Sequence, residues 1–209
     1  MDLTSPLRSL IPSLDSSVLE VLARSEHPQS ASAIWRASSR GTRAGQLPVL
    51  NRLVEHGIVR ALPAAVGHLY ALNREHLLAD AVLSAASARG RLMQRLGEHV
   101  QRMSPPPMHA FVFGSFARGV ADQRSDIDLV LIVAQGVDPR SDAWVAQIDA
   151  LSQSTVRWTG NDLQPLSYTA NALADLISAD EPIVQHWRDD GVRLVGDEPA
   201  TLLERGSMG

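Results

Sequence analysis

Three successive prolines, Pro105-Pro106-Pro107 after Ser104, constrain this chain more than any other feature. Each removes a backbone donor and pushes the residue before it out of helical geometry, so neither a helix nor a central strand is expected to run through them. The charge divides at the same place. Residues 1 to 104 carry 12 Arg against 8 Asp plus Glu, and residues 105 to 209 carry 7 Arg against 15. A basic half followed by an acidic half implies two modules with different partners. At 209 residues and 44% apolar, the chain can bury a core in each.

All 19 cationic side chains are Arg. The absence of Lys excludes Schiff-base chemistry and the lysine of a P-loop. The absence of Cys excludes disulfides, thiolate metal sites and cysteine nucleophiles. The opening Met1-Asp2-Leu3-Thr4-Ser5-Pro6 has neither the cationic start nor the apolar core of a leader, and no run approaches the ~18 apolar residues of a membrane span. A soluble cytoplasmic protein without a membrane partner is expected.

Upstream of the prolines, Asp15 can cap a helix with Val18, Leu19 and Leu22 on one face. A second helix falls around Ser32 to Ser38, with Ile34 and Trp35 inward. Arg40-Gly41-Thr42 turns the chain, and Leu47, Leu50, Leu53 and Val54 repeat at helical spacing. Because Pro48 suits only a first turn, that helix is expected to start near Gln46. Ile58 to Leu62 and His68 to Leu72 read as strands. Three helices followed by a β-ribbon is the order of a winged helix-turn-helix, predicted over residues 1–73. Such a domain lays its third helix on a nucleic acid, and Arg36, Arg40, Arg43 and Arg52 are the candidate phosphate contacts. Protein binding is the alternative use. Residues 74–104 keep a helical apolar period and predict a connecting helix roughly 45 Å long if unbroken. Its apolar face must lean on its own domain or on a second copy, and a homodimer is the preferred arrangement.

Downstream, residues 105–209 alternate strands and helices as a small α/β unit. The strands are His109 to Phe113, Asp126 to Val133, Leu163 to Tyr168 and Val192 to Val195. Between them come a short helix or turn at Ser115 to Gly119 and helices at Ser141 to Arg157, Ala170 to Ser178 and Glu181 to Arg188. Gly206 to Gly209 is expected to be disordered.

The chemistry concentrates between the first two of these strands. Gly114-Ser115 follows a strand, where a missing Cβ lets a phosphate approach the backbone and the hydroxyl adds a donor. Val120 stands after Gly119 where a P-loop has Lys, so that scheme is excluded. Asp126 and Asp128 sit two residues apart on a strand and project from one face, while Ile127 and Leu129 enter the core. Paired carboxylates of this kind can hold hard divalent cations for phosphoryl or nucleotidyl transfer.

Gly114-Ser115, Gly119 and Ser125-Asp126-Ile127-Asp128 resemble the signature of the DNA polymerase beta-like nucleotidyltransferase superfamily, particularly its small bacterial members. The resemblance is specific over residues 109 to 133. More loosely, residues 68 to 77 and Trp158-Thr-Gly-Asn-Asp162 look like bacterial proteins that join a winged helix to this domain. It implies an α+β to α/β chain in which a polymerase beta-like domain with a small mixed sheet follows the winged helix and connector. It also implies two Mg2+ ions, with Mn2+ as a substitute, held by Asp126 and Asp128. A nucleoside triphosphate would be bound by Gly114, Ser115, Arg118, Gly119, Arg124 and Ser125. A hydroxyl on an RNA end, a protein or a small molecule would attack the α-phosphorus, and pyrophosphate would leave. Members with full activity add a third carboxylate, for which Asp162 is the candidate catalytic and metal-binding residue, an Asx-type turn being its other reading. Asp175, Asp180, Asp189 and Asp190 read as solvated surface. Two further readings stand beside the enzyme: a DNA-binding regulator whose transferase-like domain senses a nucleotide or is inactive, and one half of a toxin-antitoxin pair.

Overall fold

The computed structural model describes residues 1–38 and 40–205; the Gly206 to Gly209 run lies outside them. It is a mixed α and β chain with two small sheets, dividing into two compact units between Arg89 and Gly90, with Met1 and Leu3 counted in the C-terminal one.

In the N-terminal unit, a 3-10 turn at Pro6–Ser9 precedes α1 (Leu14–Arg24), β1 (Gln29–Ser30), α2 (Ala31–Ala37), α3 (Arg43–Glu55), β2 (Val59–Pro63), β3 (His68–Leu72) and α4 (Ala79–Ala86). The sheet order is β1-β3-β2, all antiparallel. Val18, Leu19, Leu22, Ile34, Leu50, Leu53 and Leu72 are buried in one core, as their periodicity requires. Trp35 is not: it is 41% exposed. Successive helical residues lie about 100° apart, so in a seven-residue helix that buries Ile34, its neighbour faces away. Leu47 is likewise exposed. Helix α3 starts at Arg43 rather than near Gln46, because the Thr42 side chain accepts the Gly45 N–H (3.1 Å) and caps it there. Ser13, not Asp15, holds the N-cap position of α1.

The segment 74–104, expected as one connector, forms α4 and a separate α5 (Ala88–Gln101), with Ser87 between them. The apolar side of α4, through Val82, joins the N-terminal core. The apolar side of α5, through Leu92, Leu96 and Val100, joins the C-terminal one. A helical period that runs through both helices thus serves two cores. Ser104 is tied to the C-terminal unit, its N–H donating to Gln147 Oε1 (2.7 Å) and its C=O accepting from Gln147 Nε2 (3.1 Å).

The C-terminal unit continues with β4 (His109–Phe113), α6 (Gly114–Arg118), β5 (Ile127–Val133), α7 (Asp142–Thr159), β6 (Leu163–Thr169), α8 (Ala170–Ser178), α9 (Pro182–Asp190), β7 (Val192–Val195) and α10 (Pro199–Arg205). The sheet order is β6-β5-β4-β7, with β5 and β6 parallel and the other pairs antiparallel. Alternation along β5 sends Ile127, Leu129, Leu131 and Val133 into a core with α5 and α7. Val130 and Ile132 enter a second core with α8, α9 and α10 on the other face. Trp187 anchors that second core, its ring edge-on to Phe111 and Phe113. Asp128 shares the face of Val130 and Ile132 but stays half-buried at its open end.

Candidate functional site

Antiparallel pairing sets Phe113 opposite Asp128, so the end of β4 delivers the chain to the carboxylate. Gly114 follows with φ +70°, in the left-handed region. A Cβ built on it would stand 2.4 Å from Asp128 Oδ2. The space that the missing Cβ leaves borders the Asp128 carboxylate. Helix α6 then makes one turn and ends at Gly119, φ +72°, with open space around the Cβ position.

Asp126 is exposed just ahead of β5, and Asp128 lies two residues on, on the same face. Burial, and then the like charge of Asp126, hold the Asp128 carboxyl above its usual range, while the Arg118 guanidinium acts in the opposite direction. Arg118 itself is ion-paired with Asp190, the last residue of α9.

The loop from Asp122 to Ser125 presents this pair. The Asp122 carboxylate accepts from the Arg124 N–H (2.8 Å) and the Ser125 hydroxyl (3.1 Å), and the first of these chiefly holds its carboxyl below the ordinary value. The Ser125 hydroxyl in turn accepts from the Asp122 N–H (3.0 Å). Beneath the loop lies Asn161, 3% exposed, whose Nδ2 donates to the Ser125 carbonyl (3.0 Å). Arg124 is exposed.

The parallel register puts Gln164 beside Asp128, and its Nε2 donates to Asp126 Oδ2 (3.3 Å). Asp162 is exposed; its backbone carbonyl accepts the Ile127 N–H (2.9 Å). Among the described residues, no group of three or more His, Cys, Asp or Glu is placed to hold a metal ion, Asp162 included. Gly114 and Asp128 are therefore seated against one another, with Ser115 and Arg118 on α6, Asp126 just ahead of β5 and Gln164 on the flanking strand.

Gln164 and Asp190 carry no motif that would single them out, and Asn161 lies in the Trp158 to Asp162 segment without being marked there as a site residue. The sequence cue for Asn161 and Gln164 is their position at the start of a strand expected to neighbour the motif.

In the N-terminal unit Arg36 and Arg43 are exposed and Arg40 is half-buried. Arg52 is ion-paired with Asp15.

Residues 93–159, from within α5 to the end of α7, match the family model of the nucleotidyltransferase domain. The match includes Gly114, Ser115, Asp126 and Asp128 and stops before β6. No curated protein matches the chain. Among solved structures, the chain is similar to a toxin-antitoxin with AMP-PNP, at 18% identity, 56% of this chain, 84% of that one and TM-score 0.40. It is also similar to a mutant of the toxin-antitoxin MntA-HpeT, at 15% identity, 56% and 84% coverage and TM-score 0.39. Among the described residues, no helix is long and apolar enough to cross a membrane.

Proposed function

We propose that the C-terminal unit is a magnesium-dependent nucleotidyltransferase that moves a nucleoside monophosphate from a nucleoside triphosphate to a hydroxyl, releasing pyrophosphate. The observation that carries this reading is the seating of Asp128 against the bare Cα of Gly114, two residues after Asp126, within a segment that matches the nucleotidyltransferase domain. The donor set fits the metal. Asp126 and Asp128 offer hard oxygen ligands two residues apart, and Mg2+ typically takes one or two carboxylates and completes its shell with water and substrate phosphate. When bound, the ion supplies charge neutralisation and polarisation at the phosphoryl oxygens. Asp126 and Asp128 hold it, Ser115 and the backbone around Gly119 meet the triphosphate, and Arg118 offers a guanidinium to its negative charge.

Incubating the protein with each α-labelled nucleoside triphosphate, Mg2+ and a cell extract tests the proposal. Label transferred by the wild type and lost in Asp126→Asn plus Asp128→Asn supports it; no transfer with any nucleotide sinks it. A second reading, a nucleotide-sensing domain without transfer, draws on Gln164 standing beside Asp128 where an acid could stand. Nucleotide binding without label transfer would favour it.

For the N-terminal unit we propose a winged helix that contacts nucleic acid through exposed Arg36 and Arg43. The element order and the β1-β3-β2 sheet support this reading. Pairing with Asp15 makes Arg52 a weaker contributor.

A further inference from the structure

Arg118 is ion-paired with Asp190, and its charge also acts on the Asp128 carboxylate. Gly114 and Arg118 are the first and last residues of α6, four apart, and so lie on one side of it. Side chains on a helix lean toward its N-terminus, which here points Arg118 back toward the end where Asp128 is seated. A guanidinium near a carboxylate can close on it in a bidentate pair. Arg118 pairs with Asp190 instead.

Asp190 is in an unfavourable place for an acid. It ends α9, where the exposed carbonyls and the helix dipole disfavour negative charge, and its side chain is only 16% exposed. Its backbone is held firmly. A Cβ on the next residue, Gly191, would stand 2.3 Å from the Trp187 carbonyl, and Trp187 is fully buried against Phe111 and Phe113, the strand leading into Gly114. The core that positions Gly114 therefore also positions Asp190.

We propose that Asp190 is a positioning residue that holds Arg118 away from Asp126 and Asp128, leaving the two carboxylates free for a divalent cation. This rests on the reading that Asp126 and Asp128 bind such a cation. Without the tether, Arg118 would compete with the cation for the same oxygens.

Mn2+ binding to the full chain, followed by electron paramagnetic resonance without nucleotide, tests this. Asp190→Asn is expected to weaken Mn2+ binding by roughly two- to fivefold, the scale of a partly exposed ion pair. Asp190→Glu is expected to restore it. Arg118→Gln should bind Mn2+ at least as tightly as the wild type, and in that background Asp190→Asn should have no further effect. Equal weakening by Asp190→Asn with and without Arg118 would overturn the proposal, because Asp190 would then act through the fold or as a ligand. No weakening in the wild-type background overturns it too. The underlying reading fails separately, in a wild type whose Mn2+ binding is absent or unchanged by Asp126→Asn plus Asp128→Asn.

Discussion

Gly114 and Asp128 occupy one another's space: a Cβ on the glycine would lie 2.4 Å from the carboxylate oxygen. Glycine is required here twice, for its φ of +70° and for the seat it gives the acid. Gly119 shares the first requirement, at φ +72°, but not the second.

That difference yields a paired prediction. Gly119→Ala should lose about 1–2 kcal/mol of stability from the left-handed backbone and keep divalent-ion binding. Gly114→Ala should lose at least as much stability and displace Asp128, abolishing Mn2+ binding and nucleotidyl transfer. Thermal melts and Mn2+ titrations of the two variants check this; equal effects on Mn2+ binding would refute the assigned role of Gly114.

The protonation of Asp128 gives the second prediction. Burial and Asp126 raise its pKa, so the ligand-competent carboxylate forms at higher pH than for an ordinary Asp, and metal affinity should climb as pH rises through that value. In the window between the ordinary and the raised value the folded chain binds more protons than the unfolded one, so the same group makes stability fall as pH rises. Carboxyl-carbon NMR of the metal-free protein should show the Asp128 midpoint moving down in Asp126→Asn and up in Arg118→Gln. Shifts of the opposite sign would contradict the assigned causes.

The parts of this site that could be read from sequence depend on local periodicity. Asp126 and Asp128 share a face because strand side chains alternate, and the same rule buries Ile127 and Leu129. The rest depends on long-range geometry. Gln164 meets Asp126 only because β6 runs parallel to β5 in a particular register. Asp190 reads as surface until α9 packs against α6. The division at Arg89–Gly90 is hidden for a related reason: one helical period spans α4 and α5, and only the two cores decide which side each joins.

Asn161 provides a third prediction. Its buried amide donates to the Ser125 carbonyl directly before Asp126. Asn161→Ala leaves that carbonyl without its donor and should cost about 1–3 kcal/mol. A looser Asp122 to Ser125 loop should also weaken Mn2+ binding. Urea unfolding and Mn2+ titration report the two effects, and a variant with wild-type Mn2+ affinity would limit Asn161 to a stabilising role.

The N-terminal arginines separate by charge pairing. If Arg36 and Arg43 contact phosphates, replacing either with Ala should reduce the slope of log affinity against log salt by about 1 on a duplex. Arg52→Ala should change it less, because Asp15 already offsets that charge. Fluorescence anisotropy across a salt series measures all three slopes. A larger loss for Arg52 than for Arg43 would reverse the assignment.

Glu20 supplies the last prediction, in the N-terminal unit. It is 3% exposed; Oε2 accepts the Ser5 hydroxyl, and Oε1 has no hydrogen-bond partner among the described residues. Burial raises its carboxyl above the ordinary value, against the opposing pull of the Ser5 hydrogen bond and of Arg24. The folded state therefore binds the extra proton in the window between the unfolded and folded values, so stability falls as pH rises through it and ionised Glu20 is a net cost at neutral pH. Glu20→Gln keeps an acceptor for Ser5 and removes the charge. It should be more stable than the wild type at neutral pH, and the advantage should shrink as pH falls toward the ordinary glutamate value of ~4.3. Urea midpoints of both proteins across that range decide it: a variant less stable at neutral pH, or a gap that ignores pH, would show that the buried carboxylate is fully compensated by its neighbours.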